Sequence, residues 1–392
     1  MDSLGWFQPS NLLHTQEVMR LYRPGGFHPV RLGDTFKDGR YTVHHKLGWG
    51  GFSTVWLAQD ESLEEWVALK IITADTPTPS RELQTLQDLH QAHATHRTVQ
   101  LLDSFVHEGD NGSHQCLVFE LLGPTVGSVV ADYHMSGHRM GPATVMRITR
   151  QLLQGLVSLH RAGYAHGDIS GFNLAFTARK AARLSTTAML ELLGAPKVDA
   201  LVRFDGAPLS LGLPEDLVEA ARWDRWFDED EEDIRLIDLG EAFAHGAEPD
   251  KLAQPAALQV PEKIFTGKFD YRVDLWRAGC TIYTLALGSR PFHFFRGMDS
   301  LVAQMIHFVE DLPVEWLPEW ERMKEGSVYN WAHIPDSMPR KSKLEVIFER
   351  GVPEESLKRL FPIIQGLMRF RPEERMSAEA ALRLLDERGQ QG

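Results

Sequence analysis

An α+β chain of two lobes is what the sequence predicts: a small β-rich N-terminal lobe followed by a larger, mainly helical C-terminal lobe. Runs rich in β-branched and aromatic residues dominate 41–122, punctuated by a glycine turn. Beyond residue 125 apolar residues recur at helical spacing, most clearly over 146–160, ending near Gly163. At 392 residues the chain can hold two or three cores, and its 43% hydrophobic and 24% charged content is that of a soluble globular protein.

Composition excludes several function classes. Two cysteines, Cys116 and Cys280, are too few for a disulfide framework and point to a reducing compartment. Asp2 and Glu17 stand where a secretory signal would carry basic and then apolar residues. No apolar run is long enough to cross a bilayer; 281–287 has the length of a buried helical segment. A net charge of −13 disfavours general nucleic-acid binding, and either attracts a basic partner or simply keeps the chain in solution. The chain is therefore expected to touch neither nucleic acid nor membrane; a monomer is expected as well.

Taken in order, residues 1–40 mix Gly, Pro and polar residues with scattered aromatics and read as an extended arm packed on the lobes. Residues 41–122 form the first lobe and its connection to the second. Within them Leu47-Gly48-Trp49-Gly50-Gly51-Phe52-Ser53-Thr54-Val55-Trp56-Leu57 reads as two strands around a glycine turn. Gly48 and Gly50 would let backbone amides approach nucleotide phosphates, Ser53 stands at a third glycine's place, and Val55 would cover the base. A glycine hairpin alone is an ordinary turn; its place before a lysine-bearing strand gives it meaning. That strand is Val67-Ala68-Leu69-Lys70-Ile71-Ile72, where burying Lys70 among apolar residues requires an anion. Glu82 is the expected carboxylate, on a helix striped with Leu83, Leu86 and Leu89; an exposed edge-strand lysine is the alternative. In Cys116-Leu117-Val118-Phe119-Glu120-Leu121-Leu122 the backbone of Glu120 and Leu122 would read the adenine edge, with Phe119 behind it.

The second lobe is assigned to 123–385, with a tail at 386–392. It holds His166-Gly167-Asp168-Ile169-Ser170-Gly171-Phe172-Asn173. An Asp followed five positions later by an Asn suits phosphoryl transfer: Asp168 accepts the proton of the attacking hydroxyl, and Asn173 reaches a metal ion that bridges phosphates. A spacer at 177–232 interrupts the lobe, with helices expected over 185–193 and 214–226. It runs into Asp228-Glu229-Asp230-Glu231-Glu232-Asp233, either a solvated loop or a contact for an arginine-rich substrate. Ile234-Arg235-Leu236-Ile237 then reads as a strand delivering Asp238, a carboxylate suited to Mg²⁺. Glu262 is expected to pair with Arg375, and Asp274 to hold the 166–173 loop from below; the Trp-rich 313–331 stretch reads as helices and loops.

Together these stretches resemble a eukaryotic-type protein kinase, and more narrowly the SR-protein kinases. The narrower resemblance rests on Gly25-Gly26-Phe27-His28-Pro29-Val30-Arg31-Leu32-Gly33-Asp34 and on Lys46-Leu47-Gly48-Trp49-Gly50-Gly51-Phe52-Ser53-Thr54-Val55-Trp56. The resemblance implies a two-lobed protein-kinase-like fold and ATP with Mg²⁺ as cofactors. It gives Lys70 to the nucleotide phosphates with Glu82 as its helix partner, Asp168 to base catalysis, and Asn173 with Asp238 to the metal. It also implies an arginine/serine-rich protein substrate and a cytoplasmic protein able to enter the nucleus; nuclear entry rests on the resemblance alone, because Arg340-Lys341-Ser342-Lys343 is too short to be a nuclear signal. Three features depart from the common protein-kinase pattern, although the SR-protein kinases resemble this chain in lacking a phosphorylation switch on the activation loop. Ser170 replaces the lysine that steadies the γ-phosphate, which bears on turnover rather than on nucleotide binding. Gly167 replaces the arginine that receives an activation-loop phosphate, and 238–262 holds no Ser, Thr or Tyr to carry one. The segment 253–260 lacks the family's Tyr- and Arg-containing substrate platform. Two rival readings compete with this one: an aminoglycoside- or choline-type phosphotransferase, which shares His-Gly-Asp and the Asn, and a pseudokinase scaffold.

Overall fold

Two units share the chain in the computed structural model, which describes residues 7–13, 15–223, 225–226, 228–252, 256–294, 297–325, 327, 342–352 and 354–387. The first unit takes Met1–Leu86, Val99–Pro124 and Phe176–Glu232, and the second takes Gln87–Thr98, Thr125–Ala175 and Asp233–Gly392.

The first unit is built on an antiparallel sheet of β1 (Thr35–Phe36), β2 (Tyr41–Trp49), β3 (Ser53–Asp60), β4 (Glu65–Ile72), β5 (Leu101–Gly109) and β6 (Gly112–Glu120), in the order β1-β2-β3-β4-β6-β5. Alternation sets its faces: Val43, Trp56, Ala58, Val67, Leu69, Ile71, Cys116 and Val118 point into one buried cluster. Between β4 and β5 runs α1 (Arg81–Gln91), with Leu83, Leu86 and Leu89 buried. The arm and the spacer share a second cluster, in which Phe7, Leu12, Leu13, Met19, Tyr22 and Phe27 meet Leu201 and Leu217. Lys46, 2% exposed, is held by the arm through Glu17 and through Gln16 Oε1 at 2.7 Å. A buried ammonium is tolerable only with such partners.

The spacer differs from its sequence-based assignment in two ways. It groups with the first unit rather than the second, because Ala178, Ala181, Met189 and Leu193 are buried against Leu57, Trp66 and Leu121. One expected helix forms, as α4 (Thr186–Leu193) capped by Ser185. The helix expected over 214–226 does not. Asp216–Val218 is instead a strand pairing antiparallel with Val198–Ala200. Leu217 enters the arm cluster and Val218 the sheet cluster, so two cores on opposite faces impose a period of two. The acidic run is a loop with Asp230 and Glu231 exposed; Lys180 pairs with Asp228 at 3.1 Å and Glu231 at 2.7 Å, and buried Glu232 accepts from the Thr177 hydroxyl.

In the second unit α2 (Val126–Met135) is followed by α3 (Pro142–Arg161), which starts on Pro142 and buries Val145, Ile148, Leu152, Leu156 and Leu159 along one stripe. Gly163 turns the chain into Tyr164–Ala165, which pairs with Phe243–Ala244. The 166–173 loop leaves that short ladder. After the short α5 (Pro261–Thr266) comes α6 (Val273–Leu287), buried almost all round yet carrying Asp274 and Arg277, 0% and 1% exposed. Arg375 Nη1 and Nη2 meet Glu262 at 2.8 and 2.6 Å, the pair expected from the sequence. Of the Trp-rich stretch Leu317–Glu325 is helical, and 328–331 lie outside the described residues, as do Arg340, Lys341, 253–255 and 388–392.

Candidate active site

In the first unit the glycine turn is closed by the Gly50 N–H donating to the Ser53 carbonyl at 2.9 Å. Gly48 faces Val55 across β2 and β3, and Val55 faces Lys70 across β3 and β4. A Cβ added at Gly48, Gly50 or Gly51 would meet nothing within 4 Å, so packing does not demand glycine there. Small residues leave the backbone open to something outside the chain. Lys70 Nζ lies 2.6 Å from Glu82 Oε2, the two side chains 12% and 5% exposed. β4 is an inner strand between β3 and β6, so the edge-lysine alternative does not apply. The Glu120 N–H donates to the Gln100 carbonyl at 3.1 Å and its carboxylate accepts from the Gln100 N–H at 3.0 Å. The Glu120 N–H is thus engaged within the first unit, and Leu122 is half-buried.

In the second unit the 166–173 loop is fixed from below by Asp274. Its carboxylate accepts the His166 N–H at 2.7 Å, the Gly167 N–H at 2.9 Å and a hydrogen bond from His160 Nε2 at 3.1 Å. Burial pushes the Asp274 carboxyl up, but the contacts from His160 and His166 prevail and hold it below the usual carboxylate range. Gly167 has φ +78°, and a Cβ there would stand 2.3 Å from the Glu241 carbonyl oxygen. No side chain fits, which accounts for the missing arginine. The His166 ring bridges two elements: Nδ1 accepts from the Asp168 N–H at 3.2 Å and Nε2 donates to the Ile237 carbonyl at 3.0 Å.

Asp168 is held through both carboxylate oxygens while its side chain stays 25% exposed. Asn173 Nδ2 donates to Asp168 Oδ2 and to the Asp168 carbonyl, each at 2.7 Å. Arg277 Nη2 donates to Oδ1 at 2.8 Å. With its nitrogen thus engaged, the Asn173 amide oxygen is the atom that can meet a cation. The Ile237 N–H donates to the Asn173 carbonyl at 3.0 Å, which sets Asp238 beside the loop. Asp238 takes the left-handed backbone conformation (φ 59°, ψ 70°), uncommon for a non-glycine residue and often found where a side chain must be aimed. An amide oxygen and a carboxylate are the hard donors Mg²⁺ prefers. Two of the expected groupings thus form, Lys70 with Glu82 and Val55 in one unit, and Asp168 with Asn173 and the Asp238 segment in the other.

Sequence reasoning missed Arg277. A charge inside Asp274-Leu275-Trp276-Arg277-Ala278-Gly279 is the same signal that singled out Lys70, a cation among residues bound for the core. Beside the loop lies a cavity of ≈ 390 Å³ lined by Val126, Val130, Ser170, Leu258, Trp276 and Arg277 among others, with no Asp or Glu among its described lining residues. No described helix is long and apolar enough to cross a membrane.

Several known proteins resemble this chain. The family model described as "Protein kinase domain" matches residues 41–186. Protein kinase dsk1 of Schizosaccharomyces pombe is 41% identical over 162 residues, 39% of this chain and 29% of dsk1. SRSF protein kinase 3 of Homo sapiens is 38% identical over 167 residues, 41% of this chain and 29% of that protein. Serine/threonine-protein kinase SRPK of Physarum polycephalum is 28% identical over 397 residues, 92% of this chain and 88% of that protein. The chain thus spans under a third of the length of the first two and most of the third. A kinase-domain crystal structure shares the fold at TM-score 0.57 and 17% identity, over 91% of this chain and 98% of that one.

Proposed function

We propose that this chain, a eukaryotic-type protein kinase in domain and fold and most like the SR-protein kinases, moves the γ-phosphoryl of ATP to serine or threonine hydroxyls. The observation that carries the reading is Asp168: a partly exposed carboxylate, oriented through both oxygens, on a loop whose backbone is tied to a buried aspartate. Asp168 takes the proton of the acceptor hydroxyl as its oxygen attacks, and general-base assistance of this kind contributes about 10²–10⁴-fold. Lys70, kept in place by Glu82, meets the nucleotide phosphates, and the open glycine turn offers them backbone amides. Asn173 and Asp238 are the residues that would hold Mg²⁺, which when bound neutralises charge on the phosphates. With Gly167 closed to a side chain and no hydroxyl residue across 238–262, no activation-loop phosphate is needed.

An arginine/serine-rich protein is the proposed substrate, supported by the kind of relatives matched and by the net charge of −13. The cavity beside the loop contributes no carboxylate, so arginines would be recognised elsewhere on the acidic surface. We place the protein in the cytoplasm with access to the nucleus, as a monomer. The test is a peptide panel with labelled ATP, using bacterially made protein that bears no phosphate. Transfer to arginine-serine repeats supports the reading. Transfer to aminoglycosides or choline alone, or nucleotide binding with no transfer at all, would replace it by one of the two rivals. Mg²⁺ with ATP should also raise the melting temperature, and Asp238→Ala should lose most of the metal-dependent part.

A further inference from the structure

We infer that Arg277 is the positioning residue for the catalytic base, supplying from a helix the cation beside Asp168 that the loop, with Ser170 in place of a lysine, does not carry. The inference rests on the kinase reading above and goes beyond it. Residues 166–173 contain no Lys or Arg, so the loop supplies no cation of its own next to Asp168. Arg277 supplies one from Val273–Leu287, more than a hundred residues away in sequence. It grips the loop on both sides of the peptide after the base: Nη2 donates to Asp168 Oδ1 and Nε to the Ile169 carbonyl, each at 2.8 Å. Asn173 holds the other carboxylate oxygen, so neither oxygen can swing away.

Packing alone does not explain this arginine. Its neighbours Leu275, Trp276, Ala278 and Ile282 are buried and apolar, and Arg277 itself is 1% exposed. Its Nη1 is buried without a hydrogen-bond partner among the described residues, and leaving such a donor unsatisfied is destabilising. An apolar residue would avoid that cost. What would be lost is the contact with the partly exposed Asp168 carboxylate. Ser170 and Arg277 line the same cavity, so a lysine at position 170 and the arginine at 277 would serve the same neighbourhood.

The experiment compares the full chain with Arg277→Met, Ser170→Lys and the double variant, using Mg²⁺-ATP and an arginine-serine peptide. Arg277→Met should lower kcat by about 10²-fold while the KM for ATP and the nucleotide-induced rise in Tm change less than about threefold. Adding Ser170→Lys should restore at least about tenfold of that loss, which a purely structural arginine would not allow. A folded, nucleotide-binding Arg277→Met that keeps kcat within about threefold overturns the inference, and so does a double variant no better than the single one. Should Arg277→Met fail to fold, Arg277→Lys takes its place in an Asp168→Asn background. A residue acting through Asp168 adds no further loss there, whereas additive losses refute it. A wild type that binds nucleotide but phosphorylates no peptide overturns the kinase reading and this inference together. An active wild type with unaffected variants overturns this inference alone.

Discussion

Two buried arginines in the second unit each hold a carboxylate, and the two pairs are built to different standards. Arg375 is saturated: its three nitrogens reach both oxygens of Glu262 and the carbonyls of Arg369, Arg272 and Phe370, with both side chains almost fully buried. Arg277 reaches one oxygen of Asp168 and one carbonyl, leaves Nη1 without a partner among the described residues, and faces a carboxylate that is 25% exposed. A saturated pair has nothing left to offer a ligand and holds segments together. An incompletely satisfied pair beside an exposed carboxylate stabilises the fold less and keeps a reactive group in one orientation. The difference separates a structural ion pair from a chemical one where residue types are nearly the same.

The largest effect should come from breaking the saturated pair. Arg375→Ala leaves Glu262 buried and uncompensated, and should destabilise the unit by about 3–5 kcal/mol, read as a loss of soluble protein or a sharp fall in Tm. Asp168→Asn keeps an acceptor oxygen for Arg277, so it should lower kcat by about 10²–10⁴-fold while costing much less Tm than Arg375→Ala. If both substitutions lowered Tm alike, the distinction between the pairs would collapse. A smaller effect is expected from Gly167→Ala, where a Cβ meets the Glu241 carbonyl and φ is positive; about 1–3 kcal/mol should be lost in chemical denaturation.

The smallest effect lies outside both pairs, in the first unit, and serves as a control. The rings of His107 and His114 lie 4.7 and 5.0 Å from that of His28. Burial, then charge on the other two histidines, lowers the His28 pKa to about 3, and burial also lowers His107 and His114. The unfolded chain, with ordinary histidines, binds these protons first as pH falls below about 6.5. Stability from the neutral cluster is therefore complete above that pH and drains away as pH drops toward 3. Between about pH 7 and about pH 5.5 His28 should account for about 1 kcal/mol, and His28→Phe should flatten that part of the Tm–pH curve without changing kcat. An unchanged slope in the variant would show that the cluster does not govern acid stability.

Much of the candidate site was legible because each piece leaves a local mark. Lys70 stood out as a charge in an apolar strand, Asp168 and Asn173 by their spacing on one loop, and Glu82 by its place on a striped helix. Each mark reflects the desolvation of a polar group, which operates within a few residues and is visible in one dimension. Three things were decided only in three dimensions. Asp216–Val218 became a strand because two cores pull its side chains to opposite faces. The acidic run found Lys180 and Thr177 as partners from the far end of the spacer. Arg277 met Asp168 only because a buried helix passes under the loop, and no local periodicity records a contact over that separation. Residue order alone marks which side chains must find charge partners; chain packing chose those partners, because burial sets the need and only geometry can meet it.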